Sequence, residues 1–328
     1  MKEYFEAFAL AAAVSVAVGF ALIPLLRKLK LGQNILSYVS EHEYKSGTPT
    51  FGGFIFIIGS LVSFFVFGGA EKRLAVVCVA VYLLYAAVGF TDDFIKVKLK
   101  RNEGLSAFQK SFFELVIAII VSVFAYTRGL TEVFIPFTHI KIVLNVWLYL
   151  PLTILVFVAT TNCVNLTDGL DGLAGGVTYV YFLCFAVLTA LQGGKSQFVL
   201  VGDEANGIAL LSVCLSGALV GYLLFNTHKA SVFMGDTGSL ALGGAVAATA
   251  IVSGNTFYIP VIGIIYVCSG ISVILQVAYF KITKGRRIFL MAPLHHHFQH
   301  KGYGEAKIAF AYKFVTLLAG LTAIILTI

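Results

Sequence analysis

The chain has 328 residues, 59% of them hydrophobic and only 12% charged, with a formal net charge of +7. A soluble globular domain carries about 25% charged residues, so this mixture, with a mean hydropathy of +0.93, excludes a water-covered globule and places the chain in a bilayer. The five cysteines, Cys78, Cys163, Cys184, Cys214 and Cys268, form no CxxC pair and lie in or beside apolar runs, where they read as small buried hydrophobes.

The first apolar run, near 5–26, is too long for a cleavable signal, and its basic cluster follows the run instead of preceding it, so it reads as a retained span. Nine more runs of suitable length follow near 51–69, 74–91, 111–129, 146–163, 174–192, 207–225, 238–253, 258–280 and 308–327. The eighth is short and rich in Gly and Ala. None alternates apolar and polar residues as a barrel strand would. The fold predicted is therefore a single all-α integral membrane domain of ten transmembrane helices. One loop differs: "TEVFIPFTHIKIVLN" (131–145) is rich in β-branched residues around a turn at 136–139 and reads as a small β-hairpin. Of the 23 Lys and Arg, those of the first, third, seventh and ninth loops fall on one side of this map. Positive charge marks the cytoplasm, so both termini and the hairpin are expected outside. The charged face suits anionic headgroups and anionic substrates, and no nucleic-acid-binding fold is read.

Five of the six aspartates gather on that cytoplasmic side: Asp92 and Asp93 at the end of the third span, Asp168 and Asp171 in "NLTDGLDGLAGG", and Asp236 in "FMGDTGS". A charge at a span end often marks only the interface. Two adjacent acids at a desolvated edge are harder to explain so, because they repel. Lys96, one helical turn after Asp92, offsets them by only a few tenths of a kcal/mol, whereas a divalent cation would become the largest local charge. Asp236 has two readings: a helix cap, a role Thr237 or Ser239 would fill equally, or an acid that with helix N–H groups meets a metal-bound phosphate. Asn165, Asp168 and Asp171 recur every three residues. The internal run "LHHHFQH" lacks Cys or Glu partners for zinc, and beside Arg286 and Arg287 it suits a diphosphate. Carboxylate, ammonium, imidazole and amide together fit metal-assisted phosphoryl transfer better than acyl transfer or redox chemistry.

"KSGTPTFGG", "GFTDDFIKV", "NLTDGLDGLAGG", "FMGDTGSLALGG" and "APLHHHFQ", in this order, resemble the phospho-MurNAc-pentapeptide translocases, a branch of the polyprenyl-phosphate N-acetylhexosamine-1-phosphate transferases. The resemblance covers nearly the whole chain. Phe51 and Gln299 depart from it, standing where Met and Glu are usual. It implies a multi-pass enzyme of the bacterial inner membrane that transfers phospho-MurNAc-pentapeptide from UDP-MurNAc-pentapeptide to undecaprenyl phosphate, with Mg²⁺, at the cytoplasmic face. It implies that Asp236 is the metal ligand, Asp92 the base for the lipid phosphate, and Asp93 a neighbour of both metal and phosphates. Lys45, Thr50, Lys110, Asn165, Asp168, Asp171, Asn226, Phe233, Gln276, His295 and His296 match positions lining the nucleoside and diphosphate site, with Phe233 placed to stack on uracil. Lys96 and His297 complete the expected substrate-binding set. Membrane lipid and a second copy of the chain are candidate partners. Two rival readings remain: another UDP-hexosamine polyprenyl-phosphate transferase, against which "PLHHHF" counts, and a secondary transporter, which would place its acids near the midplane on broken helices.

Overall fold

The computed structural model describes residues 2–29, 47–99, 103–138 and 140–327. It is helical almost throughout: α1 (Lys2–Lys28), α2 (Gly53–Val66), α3 (Arg73–Lys98), α4 (Ala107–Thr127), α5 (Val146–Thr167), α6 (Leu173–Gly193), α7 (Gly202–Asn226), α8 (Gly235–Val252), α9 (Ile259–Ile262), α10 (Ile264–Ile282), α11 (Leu294–His300) and α12 (Glu305–Thr327). Among the described residues nine helices are long and apolar enough to cross a membrane. Two of the ten expected runs differ in form. The second is the 14-residue α2, which rises about 21 Å. It ends where Gly68, at φ +74°, turns the chain into a single 3-10 turn. The ninth is broken at Gly263, which separates the one-turn α9 from α10.

The bundle is apolar in its interior and apolar again on its outer surface. α6, α7 and α8 form its centre, and every residue of α8 from Thr237 to Val252 is buried. α1, α4, α5, α10 and α12 surround them and turn Phe20, Ile120, Leu155, Ile274 and Phe310 outward, as a surface facing acyl chains requires. The Gly- and Ala-rich composition of α8 follows from its position, since small residues let helix backbones approach closely without a hydrophobic drive between them. A Cβ on Gly89 of α3 would lie 2.0 Å from the Asp236 carbonyl oxygen, so α3 and α8 meet at backbone contact where the acids cluster.

The expected hairpin is present. β1 (Glu132–Ile135) pairs antiparallel with β2 (Ile140–Val143), Glu132 opposite Val143 and Phe134 opposite Lys141. The Phe134 N–H donates to the Gly254 carbonyl at 2.8 Å, and its ring packs against Phe198 and Tyr258. The hairpin thus closes one end of α8 and the acids lie at the other, about 25 Å away by helix rise.

Candidate active site

Local sequence explains how each element arrives at the acid end. α4 starts with a capping box, in which the Gln109 N–H donates to Ser106 Oγ at 3.2 Å and the Ser106 N–H donates to Gln109 Oε1 at 3.0 Å. Lys110 follows at once. The segment 49–53 pairs with 233–234: the Phe233 N–H donates to the Pro49 carbonyl at 2.9 Å, and the Gly52 N–H returns to the Phe233 carbonyl at 2.8 Å. That ties the start of α2 to the start of α8.

The cap of α8 is neither Asp236 nor the Thr237 and Ser239 side chains weighed for it above. It is Asp93, on α3. The Asp93 carboxylate accepts from the Asp236 N–H at 3.1 Å, the Thr237 N–H at 2.8 Å and the Thr237 hydroxyl at 2.6 Å. An anion at the N-terminus of a helix meets orphan N–H groups and the positive end of the helix dipole. Gly235, at φ +68°, makes the approach possible, because a Cβ there would lie 2.4 Å from Asp93 Oδ2. Thr50, buried and with its hydroxyl unpartnered, stands on the same side of Gly235.

Asp236 is thereby turned into the space between α3, α4 and α5. Its Oδ2 receives two ammoniums, Lys96 at 3.0 Å and Lys110 at 3.1 Å. Its Oδ1 accepts from Asn165 Nδ2 at 2.8 Å. Lys96 also meets Asp92 Oδ2 at 2.6 Å, and Asp92 Oδ1 accepts from the Leu105 N–H at 2.8 Å. Asp92, Lys96, Lys110 and Asp236 line a cavity of about 620 Å³ bounded by residues 103–107 and 109. Ligand oxygens of Asp92, Asp93 and Asp236 lie within 4.8 Å of one another. Three carboxylates against two ammoniums leave an excess negative charge, and an all-oxygen donor set is what hard divalent cations take. The residues present fit a metal of that class.

The remaining predicted residues fall into groups. Asp171 is not in the acid cluster. It accepts from the Ala230 N–H at 3.1 Å and forms a second group with His228 and Glu305, whose ligand atoms also lie within 4.8 Å of one another. Asp168 feels the charge of both groups: burial, then the carboxylates of Asp236, Asp93 and Asp171, push it up to about 8. Asn226 joins chain segments, accepting from the Gly172 N–H at 3.1 Å and donating to the Val232 carbonyl at 2.9 Å. Gln276 accepts from the Ile288 and Phe289 N–H groups, and His297 Nδ1 from the Leu290 N–H at 3.1 Å. Both shape the loop after α10. His295 is 0% exposed with neither ring nitrogen hydrogen-bonded. It rests on Gly169, where a Cβ would lie 2.1 Å from Nε2, and against His296, ring centroids 4.4 Å apart. Burial, aided by His296, pulls it down to about 3, so at neutral pH it is an uncharged imidazole beside the Asp168 loop. Lys45 lies outside the described residues.

Besides His228 and Glu305 of the second group, one buried acid stands outside the expected set. Glu114 sits inside the apolar run of α4, 1% exposed, and accepts from Asn162 Nδ2 at 2.7 Å. An acid within a span is itself the signal that would have found it.

The description Glycosyl transferase family 4 matches residues 75–254, from the third span through the end of α8. Three phospho-N-acetylmuramoyl-pentapeptide-transferases are similar along nearly their whole length. That of Thermoanaerobacter sp. (strain X514) is 43% identical over 320 residues, 97% of each chain. That of Caldanaerobacter subterraneus subsp. tengcongensis is 43% identical over 307 residues, 93% of each. That of Clostridioides difficile (strain 630) is 39% identical over 317 residues, 95% of this chain and 94% of the other. With the acids, amides and ammoniums above all inside or flanking the shared region, this chain belongs to the phospho-N-acetylmuramoyl-pentapeptide-transferase family.

Proposed function

We propose that the chain transfers phospho-MurNAc-pentapeptide from UDP-MurNAc-pentapeptide to undecaprenyl phosphate, giving lipid I and UMP, in peptidoglycan synthesis. A lipid phosphate oxygen forms a bond to the phosphorus carrying the sugar, and the bond from that phosphorus to the bridging oxygen breaks, releasing UMP. The observation that carries the reading is the Asp92–Asp93–Asp236 cluster, held with Lys96 and Lys110 at the mouth of a cavity at one end of the bundle. Mg²⁺ held there by Asp236 would offset charge on the diphosphate and on the leaving UMP. Asp92 takes the proton of the lipid phosphate, whose second pKa near 6 asks for only a modest base. Asp93 holds the first turn of α8 and so aims Asp236. Lys96 and Lys110 supply charge toward the phosphates, Asn165 fixes the Asp236 carboxylate, and Phe233 stacks on uracil.

The same reading sets the topology. α2 with its following 3-10 turn serves as the tenth crossing, both termini and the hairpin face outward, and the acid end faces the cytoplasm of a bacterial inner membrane. In support, 17 of the 23 Lys and Arg, counting Lys313, fall on the cytoplasmic side of the sequence map.

The deciding assay is UMP release from UDP-MurNAc-pentapeptide with and without undecaprenyl phosphate, run beside UDP-N-acetylglucosamine. Release only with the pentapeptide substrate and the lipid is expected; preference for UDP-N-acetylglucosamine would overturn the assignment. Asp92→Asn should lose about 10²–10⁴-fold, less at pH above the lipid phosphate's second pKa. A loss constant with pH would reject the base role. Labelling in intact cells should reach Lys141→Cys and not Lys98→Cys, and labelling of both would reject the topology.

A further inference from the structure

Lys110 and Glu114 stand four residues apart on α4, hence on one face and within reach of each other. Lys110 points its ammonium at Asp236 Oδ2, where Lys96 also sits. Among the described residues no other carboxylate lies within ion-pair distance of Lys110. Glu114 is buried. Its Oε2 accepts from Asn162 Nδ2 at 2.7 Å and from Thr161 Oγ1 at 3.3 Å, while Oε1 has no hydrogen-bond partner. A bare carboxylate oxygen inside a membrane protein is costly to keep, and the transfer reaction as described makes no use of it.

The geometry at Asp236 poses the complementary problem. A carboxylate oxygen has two lone pairs, and two ammoniums already crowd Oδ2. A divalent cation taking that oxygen must displace at least one of them. Lys96 has a second partner in place, Asp92 at 2.6 Å. Among the described residues Lys110 has no second ion-pair partner in place, and the unpartnered oxygen of Glu114 lies one turn along its own helix.

We infer that Lys110 is a displaceable counter-ion: its ammonium neutralises Asp236 until a divalent cation takes that carboxylate, and then passes to Oε1 of Glu114. The inference rests on the reading of Asp236 as a metal ligand. Glu114 is then a positioning residue, acting through Lys110. The Asn162 and Thr161 bonds hold its other oxygen still, so that Oε1 stays where Lys110 can reach it. The hand-off keeps the ammonium in the site, free to meet substrate phosphates, while clearing the lone pair the metal needs.

The test is Mn²⁺ binding to the purified, substrate-free protein, followed by electron paramagnetic resonance. Lys110→Gln removes the competitor and should tighten Mn²⁺ about tenfold. Glu114→Gln keeps an acceptor for Asn162 and Thr161 but offers no anionic berth, and should weaken Mn²⁺ about tenfold. In the Lys110→Gln background most of that Glu114→Gln effect should vanish, as a double-mutant cycle requires of a coupled pair. An equal loss in both backgrounds would assign Glu114 a through-space or packing role and overturn the hand-off. If Glu114→Gln does not fold, Lys110→Gln alone decides, since unchanged or weaker Mn²⁺ binding overturns the inference. Asp236→Asn separates the underlying reading: Mn²⁺ affinity unaffected by it would remove Asp236 from the metal site altogether.

Discussion

The two ends of α8 bury polar groups in opposite ways. At the hairpin end the groups are neutral amides that satisfy each other: Gln192 Nε2 donates to Asn255 Oδ1 at 3.2 Å, and Asn255 Nδ2 returns to Gln192 Oε1 at 2.8 Å. Asn255 also donates to Ser253 Oγ at 3.1 Å, and the aromatic cluster of Phe134, Phe198 and Tyr258 covers the end. At the acid end three carboxylates crowd two ammoniums beside a cavity. A closed amide pair is a lock, because its two amides bond to each other within the protein. An overloaded carboxylate cluster is stable only with help, and its surplus charge is the part available to a ligand. The comparison also divides the acid end internally: Asp93 places its oxygens on the first turn of α8, while Asp236 and Asp92 place theirs on side chains and one loop amide.

The largest effect expected from this contrast is at Asp236. On the proposed function, Asp236→Asn should cut kcat about 10³-fold, equivalent to about 4 kcal/mol of barrier, and raise the proposed Mg²⁺ requirement, with the protein still folded. Retention of a tenth of the wild-type rate would break the contrast at its strong end. Asp93→Ala should act on both properties at once. It strips three hydrogen bonds from the first turn of α8, costing about 3 kcal/mol of stability, and misaims Asp236, so thermal unfolding in detergent and turnover should fall together. A variant that melts like the wild type but has lost turnover would make Asp93 a direct participant in the chemistry.

At the other end Asn255→Leu leaves the Gln192 amide buried without its partner, costing about 1–2 kcal/mol, and should not change kcat per folded molecule or the Mg²⁺ requirement. Adding Gln192→Leu should recover part of the stability, since removing both partners is cheaper than orphaning one. A change in Mg²⁺ requirement would show that the ends are coupled. The smallest effect is a pH slope. Asp168, held up to about 8 in the folded chain, would release its proton near 3.9 when unfolded. The native state therefore keeps a proton that the unfolded state loses, and stability falls as pH rises between those values. In the presence of a chelator the drop in melting temperature from pH 5 to pH 8 should be smaller for Asp168→Asn than for the wild type. Equal drops would place the titration elsewhere.

What the sequence determined by itself is whatever depends on solvent and on near neighbours. Only helices and closed barrels satisfy the backbone in a bilayer, and long apolar runs without barrel alternation must be helices, so most of the spans were legible. The hairpin at 131–145 was legible too, from its β-branched residues and turn. The concentration of acids on a few loops pointed to the chemistry, and the ordered motifs pointed to the family. The tertiary structure alone decided what depends on groups far apart in the chain. That Asp93 caps a helix beginning more than 140 residues later follows from backbone contact of α3 and α8 at Gly89, and no local pattern encodes it. The same holds for His295 resting on Gly169 and for Asn226 bridging Gly172 and Val232. Residues alike in sequence were thereby parted in role. Asp92 and Asp93 are neighbours, but consecutive residues of a helix point about 100° apart. One therefore faces the cavity, and the other faces the helix that the cavity is built on.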